Sequence, residues 1–162
     1  MVLEFTPEAQ ARIREIVLRY PTREAALIPV LYLAQDEFGS LSTEAMELVA
    51  RQLELPLARV LGTATFYTML RKQPVGRFHL EVCRNVSCYL RGSDGLLETL
   101  TRVLGIAPGE TTGDGLFTLD TVECLAACGS GPALQVNGEF HENMTPAALE
   151  QLIARLREDG TA

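Results

Sequence analysis

With 162 residues, 47% of them hydrophobic, the chain can bury one sizeable core or two small ones, and nothing in its composition reads as disorder. A formal net charge of −7 argues against nucleic acid, whose phosphates call for a basic patch. No apolar run approaches the length of a bilayer crossing, so direct membrane insertion is not expected, and the absence of a Gly-x-Gly-x-x-Gly fingerprint or Walker loop argues against a dinucleotide or ATP site of the familiar glycine-rich kind.

Residues 1–75 read as an N-terminal helical bundle. Thr6 followed by Pro7 supplies a helix start, and Ile13, Ile16, Val17 and Tyr20 recur at helical spacing until Pro21. A second stripe of Leu27, Val30, Leu31, Ala34 and Phe38 stops at Gly39, with Pro29 either beginning or kinking the helix. A third, after Ser42, uses Met46, Val49, Ala50 and Leu53 and stops before Pro56. The stretch from Pro56 to Met69 is expected to add one or two short turns. Helices this short are not stable singly, so the stripes are expected to pack together.

From residue 76 to 162 the period changes. Phe78, Leu80 and Val82 alternate with Arg77, His79 and Glu81, which predicts a strand buried on one side that delivers Cys83 at its end. After Gly95, the residues Leu96, Leu97, Leu100, Val103 and Leu104 predict a helix. Gly109 to Gly115 reads as a loop, and Phe117 to Val122 as a second strand, which delivers Cys124. Ala133–Val136 and Glu139–His141 flank Asn137-Gly138, a pair suited to a type I′ hairpin turn, and Thr145-Pro146 opens a closing helix striped by Leu149, Leu152, Ile153 and Leu156. The order β-α-β-β-α is thioredoxin-like, and the fold class is α+β.

The chain has four cysteines, in two pairs with gaps of four residues (Cys83, Cys88) and three residues (Cys124, Cys128). Soft, anionic thiolates are ligands for zinc and iron. Structural zinc usually takes tight Cys-x-x-Cys knuckles, which are absent here. A two-iron cluster is wider than one ion and suits the looser pairs. The spacing therefore favours an iron–sulfur cluster, with zinc second and disulfides or free thiols behind. The start, Met1 to Pro7, lacks a cationic segment followed by an apolar run, so no secretory signal is expected and the thiols are expected to stay reduced.

Ala64-Thr65-Phe66-Tyr67, Pro74-Val75-Gly76, the first cysteine pair, Gly109-Glu110-Thr111-Thr112, Asp114-Gly115, Phe117-Thr118-Leu119 and Val122-Glu123-Cys124-Leu125 together resemble one family, from the first helix to the last. It is the thioredoxin-like [2Fe-2S] ferredoxin component, the E subunit, of NADH:quinone oxidoreductase, respiratory complex I. The resemblance implies a [2Fe-2S] cluster held by Cys83, Cys88, Cys124 and Cys128. It implies a partner flavoprotein subunit carrying FMN and the NADH site, other peripheral-arm subunits of the complex, and a cytoplasmic place peripheral to the inner membrane. The isolated chain would then be an electron carrier without NADH-oxidising activity. Ala126 stands where the family often has glycine, and Gly131 where it often has alanine. The alternatives are the corresponding diaphorase subunit of a soluble NAD-linked hydrogenase or formate dehydrogenase, and a zinc-stabilised scaffold.

Blander roles suit the neighbouring residues. His79 alternates outward on its strand and His141 ends a hairpin strand, so surface or locally bonded histidines are expected rather than ligands. Asn85 and Ser87 suit backbone capping ahead of a bond to a cluster sulfur, Arg84 and Arg91 suit a solvated surface as well as an offset to cluster charge, and Phe66 and Tyr67 suit an apolar core ahead of an interface.

Overall fold

The structure, a computed structural model, describes residues 3–161; Met1 and Val2, which begin the segment read for a secretory signal, lie outside it. The chain forms two compact units that divide between Pro74 and Val75.

The first unit contains four helices, α1 (Pro7–Leu18), α2 (Leu27–Phe38), α3 (Thr43–Leu53) and α4 (Leu57–Phe66). Local chemistry sets their ends. The Ala9 amide donates to Thr6 Oγ1 and the Ala45 amide to Ser42 Oγ, each at 3.2 Å, so both helix starts have a side-chain partner for an otherwise orphaned amide. Gly39, at φ 77°, closes α2 in a left-handed conformation that costs glycine little. Ile13, Val30, Leu31, Val49, Leu53, Val60 and Leu70 fill one core, and full burial of such side chains contributes about 1.5–3 kcal/mol each. Buried Gln35 satisfies its amide at both ends: Nε2 donates to the Met69 carbonyl at 3.3 Å, and the Arg71 amide donates to Oε1 at 2.6 Å.

Three expectations for this unit need correction, and the choice left open at Pro29 is resolved. The stretch after Pro56 is a ten-residue helix rather than short turns, because Val60 and Ala64 bury one face that outweighs the weak propensity of Gly62, Thr63 and Thr65. Pro29 sits within the first turn of α2, where a missing amide costs little. Phe66 and Tyr67 are not core residues: they are exposed and stack edge to face with centroids 5.0 Å apart. Tyr20 lies past the end of α1 and is likewise exposed.

The second unit comprises β1 (Phe78–Cys83), α5 (Val86–Leu90), α6 (Ser93–Leu104), β2 (Glu110–Thr111), β3 (Phe117–Val122), β4 (Leu134–Val136), β5 (Glu139–His141) and α7 (Pro146–Thr161). The sheet order is β2-β3-β1-β4-β5. β1 and β3 run parallel with Phe78 opposite Phe117 and Cys83 opposite Val122, while β4 pairs antiparallel to β1 and β5 to β4. Leu80, Val82, Phe117, Leu119 and Leu134 meet Leu96 and Leu100 of α6 and Leu149, Leu152 and Ile153 of α7 in a second core. The hairpin turn has φ of 50° at Asn137 and 86° at Gly138, as a type I′ turn requires.

β1 is buried on both faces, not on one. His79 and Glu81 are buried, as Leu80 and Val82 are, and their polar groups are partnered. The imidazole N–H at His79 Nε2 donates to Asp120 Oδ2 at 2.7 Å, and Gln135 Nε2 donates to Glu81 Oε2, which offsets the cost of removing them from water. The loop read from Gly109 contains the two-residue strand β2, whose pairing with β3 is supported by a 2.7 Å contact between the Thr111 and Thr118 hydroxyls.

Candidate metal centre

The register of β1 on β3 decides where the cysteines can meet. Cys83 is the last residue of β1 and lies opposite Val122, so Cys124 follows two residues beyond the neighbouring strand end. Both cysteine-bearing segments therefore open from the carboxyl ends of adjacent parallel strands, the usual place for a ligand site in such a sheet. The ladder continues one step past each strand: the Cys83 amide donates to the Ala133 carbonyl at 3.1 Å and the Arg84 amide to the Val122 carbonyl at 3.0 Å.

Cys88 is carried by α5, a helix too short for any periodic stripe to announce it. Asn85 caps it, its Oδ1 accepting from the Val86 amide at 2.8 Å, which matches the capping role expected of this residue. The turn folds Cys88 back beside Cys83. Both are buried, and with Ala127 and Ala133 they form a small third core, against which Leu125 packs. Burial pushes the Cys88 thiol pKa up, and a hydrogen bond with Cys83 and the negative potential of Cys83 and Cys128 push it the same way, against a lowering contribution from the Ala133 backbone.

Cys124 and Cys128 lie on the irregular segment between β3 and β4, and both are exposed. Ala126 between them has φ 58°, and its amide donates to Cys124 Sγ at 3.3 Å. All four cysteines are free thiols. Among the described residues, no three His, Cys, Asp or Glu side chains are arranged as the site of a metal ion. The chemistry of the donor set suits an iron–sulfur group: the four soft donors arrive as two from the buried side and two from the surface. The space beside Cys88 suits it too, because a Cβ on Gly131 would stand only 3.1 Å from the Cys88 sulfur.

Of the two departures from the family pattern, Gly131 bears on a sulfur through the room it leaves at Cys88, whereas the Ala126 amide that donates to Cys124 is a backbone group that glycine would supply equally. The flanking arginines differ. Arg84 Nε lies 4.0 Å from Glu123 Oε1 with both side chains largely in solvent, a contact of little energetic value. Arg91 Nη1 donates to the carbonyls of Gly129 at 3.1 Å and Gly131 at 3.2 Å, a bond pattern its sequence position did not reveal. His79 does not point outward as expected; it is buried and bonded to Asp120, while His141 is half-buried.

A family model described as thioredoxin-like [2Fe-2S] ferredoxin matches residues 13–157. The chain is 48% identical over 139 residues to the E 2 subunit of NADH-quinone oxidoreductase from Rhizobium meliloti (strain 1021), covering 86% of this chain and 83% of that protein. To the NADH-quinone oxidoreductase E subunit of Rickettsia bellii (strain RML369-C) it is 42% identical over 148 residues, covering 90% and 89%. Among solved structures, an NAD+-reducing [NiFe]-hydrogenase in the air-oxidized state superposes with a TM-score of 0.71 at 22% identity, covering 82% of this chain and 23% of that one. That likeness concerns the fold alone.

Proposed function

The chain belongs to the thioredoxin-like [2Fe-2S] ferredoxin family, and we propose that it is the electron-carrying E subunit of an NADH:quinone oxidoreductase, with Cys83, Cys88, Cys124 and Cys128 as the four ligands of one [2Fe-2S] cluster. The observation that carries this reading is the juxtaposition of the two cysteine segments at the ends of β1 and β3. The relatives at 42–48% identity support the E subunit over a hydrogenase or formate dehydrogenase counterpart.

When bound, a [2Fe-2S] cluster supplies one-electron transfer. The chain's own residues hold and insulate it. Cys83 and Cys88 would donate from the buried side, packed with Ala127 and Ala133, and Cys124 and Cys128 from the exposed side. The Ala126 amide offsets negative charge on Cys124 Sγ, as hydrogen bonds to ligand sulfurs do in tuning such sites. The chain carries no recognisable dinucleotide fingerprint, so hydride chemistry falls to a partner. That partner is a flavoprotein subunit carrying FMN and the NADH site, assembled with the other peripheral-arm subunits. No helix among the described residues is long and apolar enough to cross a membrane; the chain takes a cytoplasmic place peripheral to the inner membrane through those subunits.

The test is anaerobic purification or reconstitution, with iron and sulfide counted per chain, followed by stopped-flow mixing with NADH. The expected protein is reddish-brown, gives an electron paramagnetic signal on reduction, and is bleached by NADH only after the flavoprotein is added. Each Cys→Ala variant loses most of its iron. A colourless zinc protein, or four variants that keep full absorption, would sink the reading.

A further inference from the structure

Arg91 connects the two cysteine segments. It follows α5 three residues after Cys88, and its Nη1 donates to the carbonyls of Gly129 and Gly131, one and three residues after Cys128. The intervening residue faces elsewhere: the Ser130 hydroxyl donates to Glu142 Oε1 at 2.6 Å, and the Asn143 amide donates to the Ser130 carbonyl at 2.6 Å. The segment after Cys128 is therefore held on one side by the β5–α7 connection and on the other by a single guanidinium rooted next to Cys88. A guanidinium stays charged at any working pH, and its bonds to carbonyls are charge-assisted, which makes them stronger than neutral ones.

We propose that Arg91 is a positioning residue for the metal centre: by tying the Gly129 and Gly131 carbonyls to the end of α5, it sets the separation of Cys88 and Cys128 and slows loss of the bound cluster. The inference rests on the [2Fe-2S] reading above. Arg91 donates to backbone and not to a sulfur, so its effect passes through the loop. Its exposure leaves the apolar cores intact when it is replaced.

The experiment uses the full-length chain, reconstituted anaerobically, as wild type, Arg91→Met and Arg91→Lys. Three quantities are read: iron and sulfide per chain, the rate of iron transfer to an excess of a coloured chelator, and the paramagnetic spectrum of the reduced protein. All three proteins are expected to load. Arg91→Met should release iron about tenfold faster than wild type, the scale of a lost charge-assisted hydrogen bond, with a broadened spectrum. Arg91→Lys keeps a cationic donor and should stay within about threefold of wild type. Because Arg91, itself exposed, ties a segment outside both apolar cores, the metal-free Arg91→Met chain should melt no more than about 2 °C below wild type, less than the shift that a tenfold loss, carried through to the whole fold, would give. Release from Arg91→Met at the wild-type rate with an unchanged spectrum would overturn the inference alone. So would a metal-free Arg91→Met chain that melts lower in proportion to its faster release, since the residue would then be general support. A wild-type chain that binds no two-iron cluster would overturn the proposed function and this inference together.

Discussion

His79 and Asp120 are joined across the parallel β1–β3 pair, with His79 Nε2 and Asp120 Oδ2 2.7 Å apart and the imidazole almost wholly removed from water. The pair is diagonal, because His79 lies opposite Thr118 and Asp120 opposite Glu81. Replacing Asp120 with alanine strands a buried N–H. The expected cost is about 1–2 kcal/mol, toward the low end because Asp120 is partly solvated. Urea unfolding of the metal-free chain reads it, and a variant indistinguishable from wild type would show that water already satisfies His79.

The cysteines should differ in reactivity once the metal is absent. Cys83 and Cys88 are 1% exposed, whereas Cys124 and Cys128 lie at the surface. Brief treatment of the reduced, metal-free chain with iodoacetamide should label Cys124 and Cys128 about tenfold faster than the buried pair, as access governs thiol modification. Peptide mass spectrometry gives the order. Equal labelling of all four would mean that the small core around Cys83 and Cys88 opens readily.

Ala126 is the strained member of the second cysteine segment. A left-handed conformation costs an L-residue about 1–2 kcal/mol, and glycine, which avoids that cost, loses about 0.5–1 kcal/mol more chain entropy on folding. Ala126→Gly should therefore be neutral or stabilising by up to about 1 kcal/mol, while the β-branched Ala126→Val should cost more than about 1 kcal/mol and weaken iron retention. Thermal melts with iron analysis measure both, and a valine variant as stable as glycine would contradict the positive φ of this residue.

Gly131→Ala should leave the fold alone and disturb the sulfur. Gly131 does not have a positive φ, so alanine meets no left-handed strain there, but its Cβ would sit 3.1 Å from Cys88 Sγ, a contact that requires one of them to shift by a few tenths of an ångström. The expected result is a change in stability below about 1 kcal/mol together with a displaced visible circular dichroism spectrum of the loaded protein. Superimposable spectra would remove Cys88 from the ligand set or show that the loop absorbs the methyl group.

Where burial has a period, the chain announced its structure. Ile13, Val30, Leu31 and Val49 recur on helical faces, and Leu80 and Val82 alternate along a strand, because a helix or strand that packs against one core must repeat its apolar residues at its own pitch. The four candidate ligands were legible for a chemical reason, since thiolates in two loose pairs have few uses other than metal. Elements held by contacts distant in sequence left no such mark. α4 is built from weak helix formers and kept by Val60 and Ala64; α5 is too short to have a period; β2 exists through its pairing with β3. The polar side chains of His79 and Glu81 suggested an outward face, and only their tertiary partners Asp120 and Gln135 allow that face to be buried. Composition and spacing determined which atoms can bind metal, but the in-register pairing of β1 with β3 and the reach of Arg91 bring the two cysteine segments together, because proximity between residues some forty positions apart is a property of strand register rather than of local sequence.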